Sequence, residues 1–214
     1  MLEFFIKETI NTLILTFVSS IIAFIFGGLL GIVLVLIKKG GLREKVWLYQ
    51  ILDWLVNIFR SVPFIILMLF LMPFTRMLVS TTIGVWGTIV PLAIAAIPFV
   101  ARLTENAINE VDGNLIEMAK SLGASPRQIL WEVLLPESKP LLIQQATMAL
   151  VTILSYGAMA GFVGGGGLGV IAINYGYFRN QKSTMIIAII LLVILVQIIE
   201  VSGKKISKKV NKRK

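Results

Sequence analysis

From Ile10 to Ile37 the chain carries no charged residue. At a rise of about 1.5 Å per residue, a helix over that stretch crosses the roughly 30 Å hydrocarbon core of a bilayer with length to spare. Four further apolar stretches follow, at about 47–72, 83–103, 141–163 and 183–201. Lipid offers no partner to backbone polar groups, so such runs are helices or closed-barrel strands, and their length selects helices. The expected fold class is all-α integral membrane, with five transmembrane helices in a single domain over 1–214. Only 14% of the residues are charged, against about 25% in soluble domains. The N-terminus lacks a basic leader and a small-residue cleavage site, so no cleavable signal is expected.

The chain has neither Cys nor His. Disulfide and thiol chemistry are excluded, and a metal site or general base would have to be built from carboxylates. The net charge of +9 raises the question of nucleic acid, but its distribution argues for membrane lipid instead. Lys204, Lys205, Lys208, Lys209, Lys212, Arg213 and Lys214 crowd the C-terminus, and Lys38, Lys39, Arg43 and Lys45 follow the first span. Both clusters abut apolar stretches, where basic residues anchor the cytoplasmic side. A cytoplasmic tail and five spans put the N-terminus outside. Fifteen basic residues then lie inside, and only Lys7, Arg76, Arg179 and Lys182 outside, with Arg60 unassigned.

Several features inside the spans carry more than hydrophobicity. Gly27 and Gly31 form a small-xxx-small pair, either a specific helix interface or ordinary membrane-helix glycine. Asp53, Asn57 and Arg60 share a helical stripe. Asp53 and Arg60 could neutralise each other through Asn57, or lie solvated in the interface. Pro63 and Pro73 bracket the deep part of that span, and Pro91 and Pro98 fall inside the next, predicting a bend. In the fourth span Gln145, Met148, Thr152, Ser155 and Met159 fall on one helical face. That face reads either as helix packing or as a wet path. Gly164, Gly166 and Gly169 match GxGxxG, but no strand–helix–strand unit surrounds them, so a tightly packed loop is expected rather than a nucleotide site.

One long stretch between spans is polar-mixed: NLIEMAKSLGASPRQILWEVLLP, Asn114 to Pro136. It reads as two short helices meeting at a tight bend. Asn114 with Glu117 suits a reciprocal cap of the first helix, and Gly123 a left-handed end to it. Ser125, Pro126 and Gln128 suit the start of the second, and Pro136 is expected to discourage its continuation. Leu115, Met118, Ala119 and Leu122 make one apolar face; Ile129, Leu130, Val133 and Leu134 make another. The charge count places this elbow in the cytoplasm.

EMAKSLGASPRQILWEVLLP resembles the EAA motif of ATP-binding-cassette importer permeases, with Glu117, Ala119, Gly123, Leu135 and Pro136 at matching positions. Met118 stands where an Ala is usual and Val133 where an Ile is. FRSVPFIILMLFLMPFTR, GTIVPLAIAAIPFVARLTENAINEV and YGAMAGFVGGGGLGVIAINYGY extend the likeness to the methionine-importer branch over nearly the whole chain.

The resemblance implies a homodimer, two cytoplasmic ATPase subunits and an extracytoplasmic binding protein in a bacterial cytoplasmic membrane. It implies uptake of L-methionine, with D-methionine and close analogues, by alternating access; a permease for another small solute is the alternative. Glu117, Ala119, Leu122, Gly123, Ala124 and Pro136 would then couple the chain to the ATPase. The chain has no GxxxxGK[ST] sequence, so it is expected to be no enzyme, with ATP and Mg bound by the partner and no cofactor of its own. Met148, Thr152, Ser155, Tyr156 and Met159 are the expected lining of the translocation path.

Overall fold

The computed structural model describes residues 2–211, so Lys212, Arg213 and Lys214 of the basic tail lie outside the described residues. Every regular element among the described residues is helical. Helix α1 (Leu2–Ile37) leads through a basic turn to α2 (Val46–Ser61) and α3 (Phe64–Val79). Next come α4 (Gly84–Asn109), α5 (Gly113–Ser121) and the continuous helix α6 (Pro126–Val163). A glycine turn precedes α7 (167–178), and α8 (Lys182–Val210) closes the chain. Four of these, α1, α4, α6 and α8, are long and apolar enough to cross a membrane. A fifth span results if α2 and α3 count as one broken span.

That break corrects the expectation of one helix over 47–72. Pro63 has no amide hydrogen to donate and disfavours helical backbone at the residue before it. Val62 is accordingly extended (φ −83°, ψ 125°), and the two halves meet at 105°. Pro73, Pro91 and Pro98 break nothing: α3 and α4 run through them.

Helices α1 and α4 lie against each other along their length, and the glycine pair is the reason. A Cβ on Gly27 would stand 2.5 Å from the Ile97 carbonyl oxygen, and one on Gly31 2.5 Å from that of Ala101. Gly28, between them, faces open space. Leu15 and Ala23 of α1, Leu92, Ala96 and Val100 of α4, and Ala149 and Ile153 of α6 share the central core with Phe64 and Met68 of α3.

The glycine turn leads into a second helix start. Gly164, Gly166 and Gly167 all have positive φ (76°, 83°, 77°), which side chains disfavour. The turn exposes the N-terminus of α7, and α1 caps it. The Gly167 amide donates to Glu8 Oε2 (2.7 Å) and the Leu168 amide to Thr12 Oγ1 (2.8 Å). A carboxylate and a hydroxyl there satisfy exposed amides and complement the helix dipole. The stretch around these glycines, expected to be a loop, is thus mostly helix, broken by the turn at 164–166.

Candidate functional site

At one end of the bundle, the last turns of α1 and α4 meet the elbow. Val35, Ile108 and Val111 pack with Ala119, Ile129, Leu130 and Leu134. Lys38 Nζ donates to Asn109 Oδ1 (2.6 Å) across the same end. The elbow therefore sits on a buried apolar seat rather than hanging from flexible linkers.

Its caps differ from expectation at the start and match it at the bend. Asp112, not Asn114, is the N-cap of α5: its carboxylate accepts from the Asn114 amide (2.9 Å). Gly113 follows it as the first helical residue, so the capping oxygen stands two residues earlier than the Asn114–Glu117 spacing suggested. Glu117 makes no reciprocal cap; its side chain is exposed, and its carbonyl accepts from Ser121 Oγ. At the bend Gly123 has φ +78°. The Ala124 amide donates to Ala119 O (3.0 Å) and the Gly123 amide to Lys120 O (2.9 Å), the paired bonds that end a helix on a left-handed residue. Two residues later the Ser125–Gln128 capping box is complete, with Pro126 in the first turn.

Pro136 does not end the second arm. Residues Ile129–Leu134 form wide π turns, in which the Leu135 amide donates to Leu130 O. A proline ring clashes with the carbonyl four residues back in α geometry, and the widened turn relieves that constraint just before Pro136. The helix then runs on through Pro140 to Met159. The elbow's second arm and the fourth span are one helix, with Pro136 exposed on it.

The elbow residues divide into those that hold it and those that face away. Ala119 is buried and Ala124 half-buried, both on the internal seat. Leu122 is 82% exposed and Met118 57%; with Glu117 and Gly123 they form an outward surface. Trp131, 61% exposed, is an addition that no spacing argument singled out.

On α6, Met148 (56%) and Met159 (43%) are exposed with Ser155, while Thr152 is half-buried. Thr152 Oγ1 donates back to Met148 O and Ser155 Oγ to Val151 O. Both hydroxyls keep their lone pairs available. Tyr156 leaves this face: its ring stacks on Phe64 of α3, 4.9 Å between centroids and 3° from parallel.

The polar stripe of α2 has a different partner from the one expected. Asp53 pairs with Arg102 of α4, not with Arg60. Arg102 also binds Asn57 Oδ1 (3.1 Å) and Glu105 (2.6 Å), and Tyr49 donates to Glu105 Oε1 (3.0 Å). Glu105 is 2% exposed, so this network satisfies a buried carboxylate and ties α2 to α4. Sequence spacing could not find it, because the counter-charge comes from another helix.

The model of a protein family described as "binding-protein-dependent transport system inner membrane component" matches residues 27–212. The chain belongs to that family. Among individual relatives of this membrane component, a probable D-methionine transport system permease protein MetI of Vibrio cholerae is 45% identical over 211 residues, covering 99% of this chain and 94% of the relative. One of the same name from Pasteurella multocida is 44% identical over 206 residues, covering 96% and 95%. A crystal structure titled for inward-facing conformations of the MetNI methionine ABC transporter aligns with TM-score 0.96 and 42% identity, covering 99% of this chain and 98% of that one.

Proposed function

We propose that this chain is the permease subunit of an ATP-driven importer of methionine, L-methionine first and D-methionine with it. It works as a homodimer, with two ATPase subunits docked on the elbows and a binding protein delivering solute to the opposite side. ATP and magnesium belong to the ATPase partners. The single domain lies in the bacterial cytoplasmic membrane, with the N-terminus outside and the elbow and C-terminus in the cytoplasm.

The observation that carries this reading is the elbow itself. It is capped at Asp112, Gly123 and Ser125, seated on buried residues, and continuous with the helix that bears the Met148–Met159 face. Its outward surface, Glu117, Met118, Leu122 and Gly123, offers apolar contact and one carboxylate to a partner. A partner that closes on binding ATP and moves this surface moves α6 as a lever, exchanging inward-open for outward-open arrangements. The names of the relatives supply the solute, and the basic clusters support the orientation.

Reconstitution of the chain with its ATPase subunit and binding protein tests this. ATP-dependent accumulation of methionine in vesicles is the expected result, with Glu117→Lys lowering accumulation more than it lowers ATPase association. Accumulation of a different solute and no methionine overturns the substrate; wild-type accumulation by Glu117→Lys removes that residue from the coupling surface.

A further inference from the structure

The bend between α2 and α3 makes a second feature besides a broken helix. A pocket of ≈ 160 Å³ opens there, between the end of α2, the start of α3, and the flanks of α4 and α6. Its walls include Phe59, Phe64, Phe99 and Tyr156, with Ala95 keeping it open on the α4 side. Arg60 is the only charged side chain among the lining residues. It makes no hydrogen bond or ion pair among the described residues. Asp53, the carboxylate that could have neutralised it, is taken by Arg102. The Tyr156 hydroxyl has no hydrogen-bond partner among the described residues either.

The Arg60 side chain is exposed at the rim of this aromatic wall, with its paired donors open to an anion. The pocket is smaller than the roughly 300–1,000 Å³ that holds drug-sized ligands, and it suits a molecule the size of one amino acid. Arg presents paired donors that match a carboxylate. A thioether makes favourable contacts with aromatic rings. Tyr156 follows Ser155 on α6, with its ring turned from the Met148–Met159 face onto Phe64 in the pocket wall.

The geometry points to this pocket as an amino-acid subsite within each protomer, in which Arg60 takes the α-carboxylate and Phe59, Phe64, Phe99 and Tyr156 take the side chain. The inference rests on the methionine-importer reading and adds the residues that would hold the solute in transit. It also gives the bend a role: Pro63 turns the chain so that Arg60 and Phe64, on different helices, face one space.

Because the chain has no cysteine, Val62→Cys places a single thiol in the pocket lining of the assembled transporter. L-Methionine at millimolar concentration is expected to slow its reaction with a maleimide. Methioninol, which lacks the carboxylate, is expected not to. Adding Arg60→Gln should remove the protection while labelling without solute continues, a loss of about tenfold or more in protective potency, as for a lost charge-assisted pair. Arg60→Lys should keep part of it, and Arg76→Gln, a guanidinium outside the pocket, all of it. Equal labelling with and without methionine, in both nucleotide-free and ATP-bound transporter, overturns the subsite, as does equal protection by methioninol. Protection by anionic lipid in place of methionine also overturns it. Methionine uptake by the transporter with the Cys-free chain is measured in parallel. Uptake without protection sinks the subsite alone, whereas no uptake sinks the transport reading.

Discussion

Gly123 shows how a single residue sets the elbow. A Cβ there would meet nothing within 4 Å, so the demand for glycine is one of backbone and not of space. At φ +78° an L side chain costs about 1–2 kcal/mol, and a β-branched one more. Gly123→Ala should therefore lower the thermal stability of the purified complex by that amount. Gly123→Asn should cost markedly less, because Asn tolerates the left-handed region. A series ordered by side-chain bulk, with Asn no better than Ala, would point to a steric contact with the partner instead. Residues such as Gly123, Ser125 and Gln128 were legible in the sequence because their roles depend on neighbours two or three positions away. Asp112 was not: Asn114 offered an equally good cap with better downstream spacing, and only the actual helix start chooses between them. Arg102 and Glu105 were illegible for a stronger reason. Their partners Asp53 and Tyr49 lie about fifty residues earlier, and no local pattern encodes that pairing.

At the scale of elements, span existence was legible and span continuity was not. Apolar run length predicts crossing helices well, since lipid permits little else. It gives no weight to one proline over another. Pro63 breaks its helix while Pro73, Pro91 and Pro98 do not, and Pro136 is absorbed by π turns. The difference lies in what surrounds each, and in whether the preceding residue is free to become extended. The glycine pair of α1 is a case where the more specific of two open sequence readings holds. Gly27 and Gly31 touch the backbone of α4, so Gly31→Val forces the two longest-packed helices apart. A loss of about 1–3 kcal/mol is expected, typical of overpacking, read as a lower unfolding midpoint in detergent. Gly28→Ala, whose added Cβ meets nothing within 4 Å, should leave the midpoint at or above wild type. Equal losses for both substitutions would mean that α1 and α4 do not depend on close approach.

For the whole molecule the question is which face of the protomer meets lipid and which meets a second copy. The outer faces of α1 and α8 are predominantly aliphatic or aromatic within their apolar spans: Ile21, Ile25, Phe26 and Leu29 on one, Ile186, Ile190, Val193, Ile194 and Ile198 on the other, all exposed, with Gln197 a polar exception on α8. The exposed face of α6 is the one that mixes Met148, Ser155 and Met159 with the partly buried Thr152. Hydroxyls and small or flexible side chains suit contact between membrane helices or a wet path, and gain nothing from lipid tails. A solute path is hard to enclose with five spans, and two-fold pairing is the commonest way to complete one. The α6 face is therefore the expected dimer axis. Met159→Cys should form an intermolecular disulfide in the assembled transporter, or come within reach of a short bifunctional thiol reagent. Phe26→Cys on the lipid face should do neither. Ser155→Cys should react with a water-soluble maleimide in at least one nucleotide state and resist it in the other, because a path that alternates access must dry on one side as it opens on the other. Efficient cross-linking through Phe26→Cys, with none through Met159→Cys, would move the axis to α1. It would leave the methionine face of α6 as a packing surface within a differently assembled dimer.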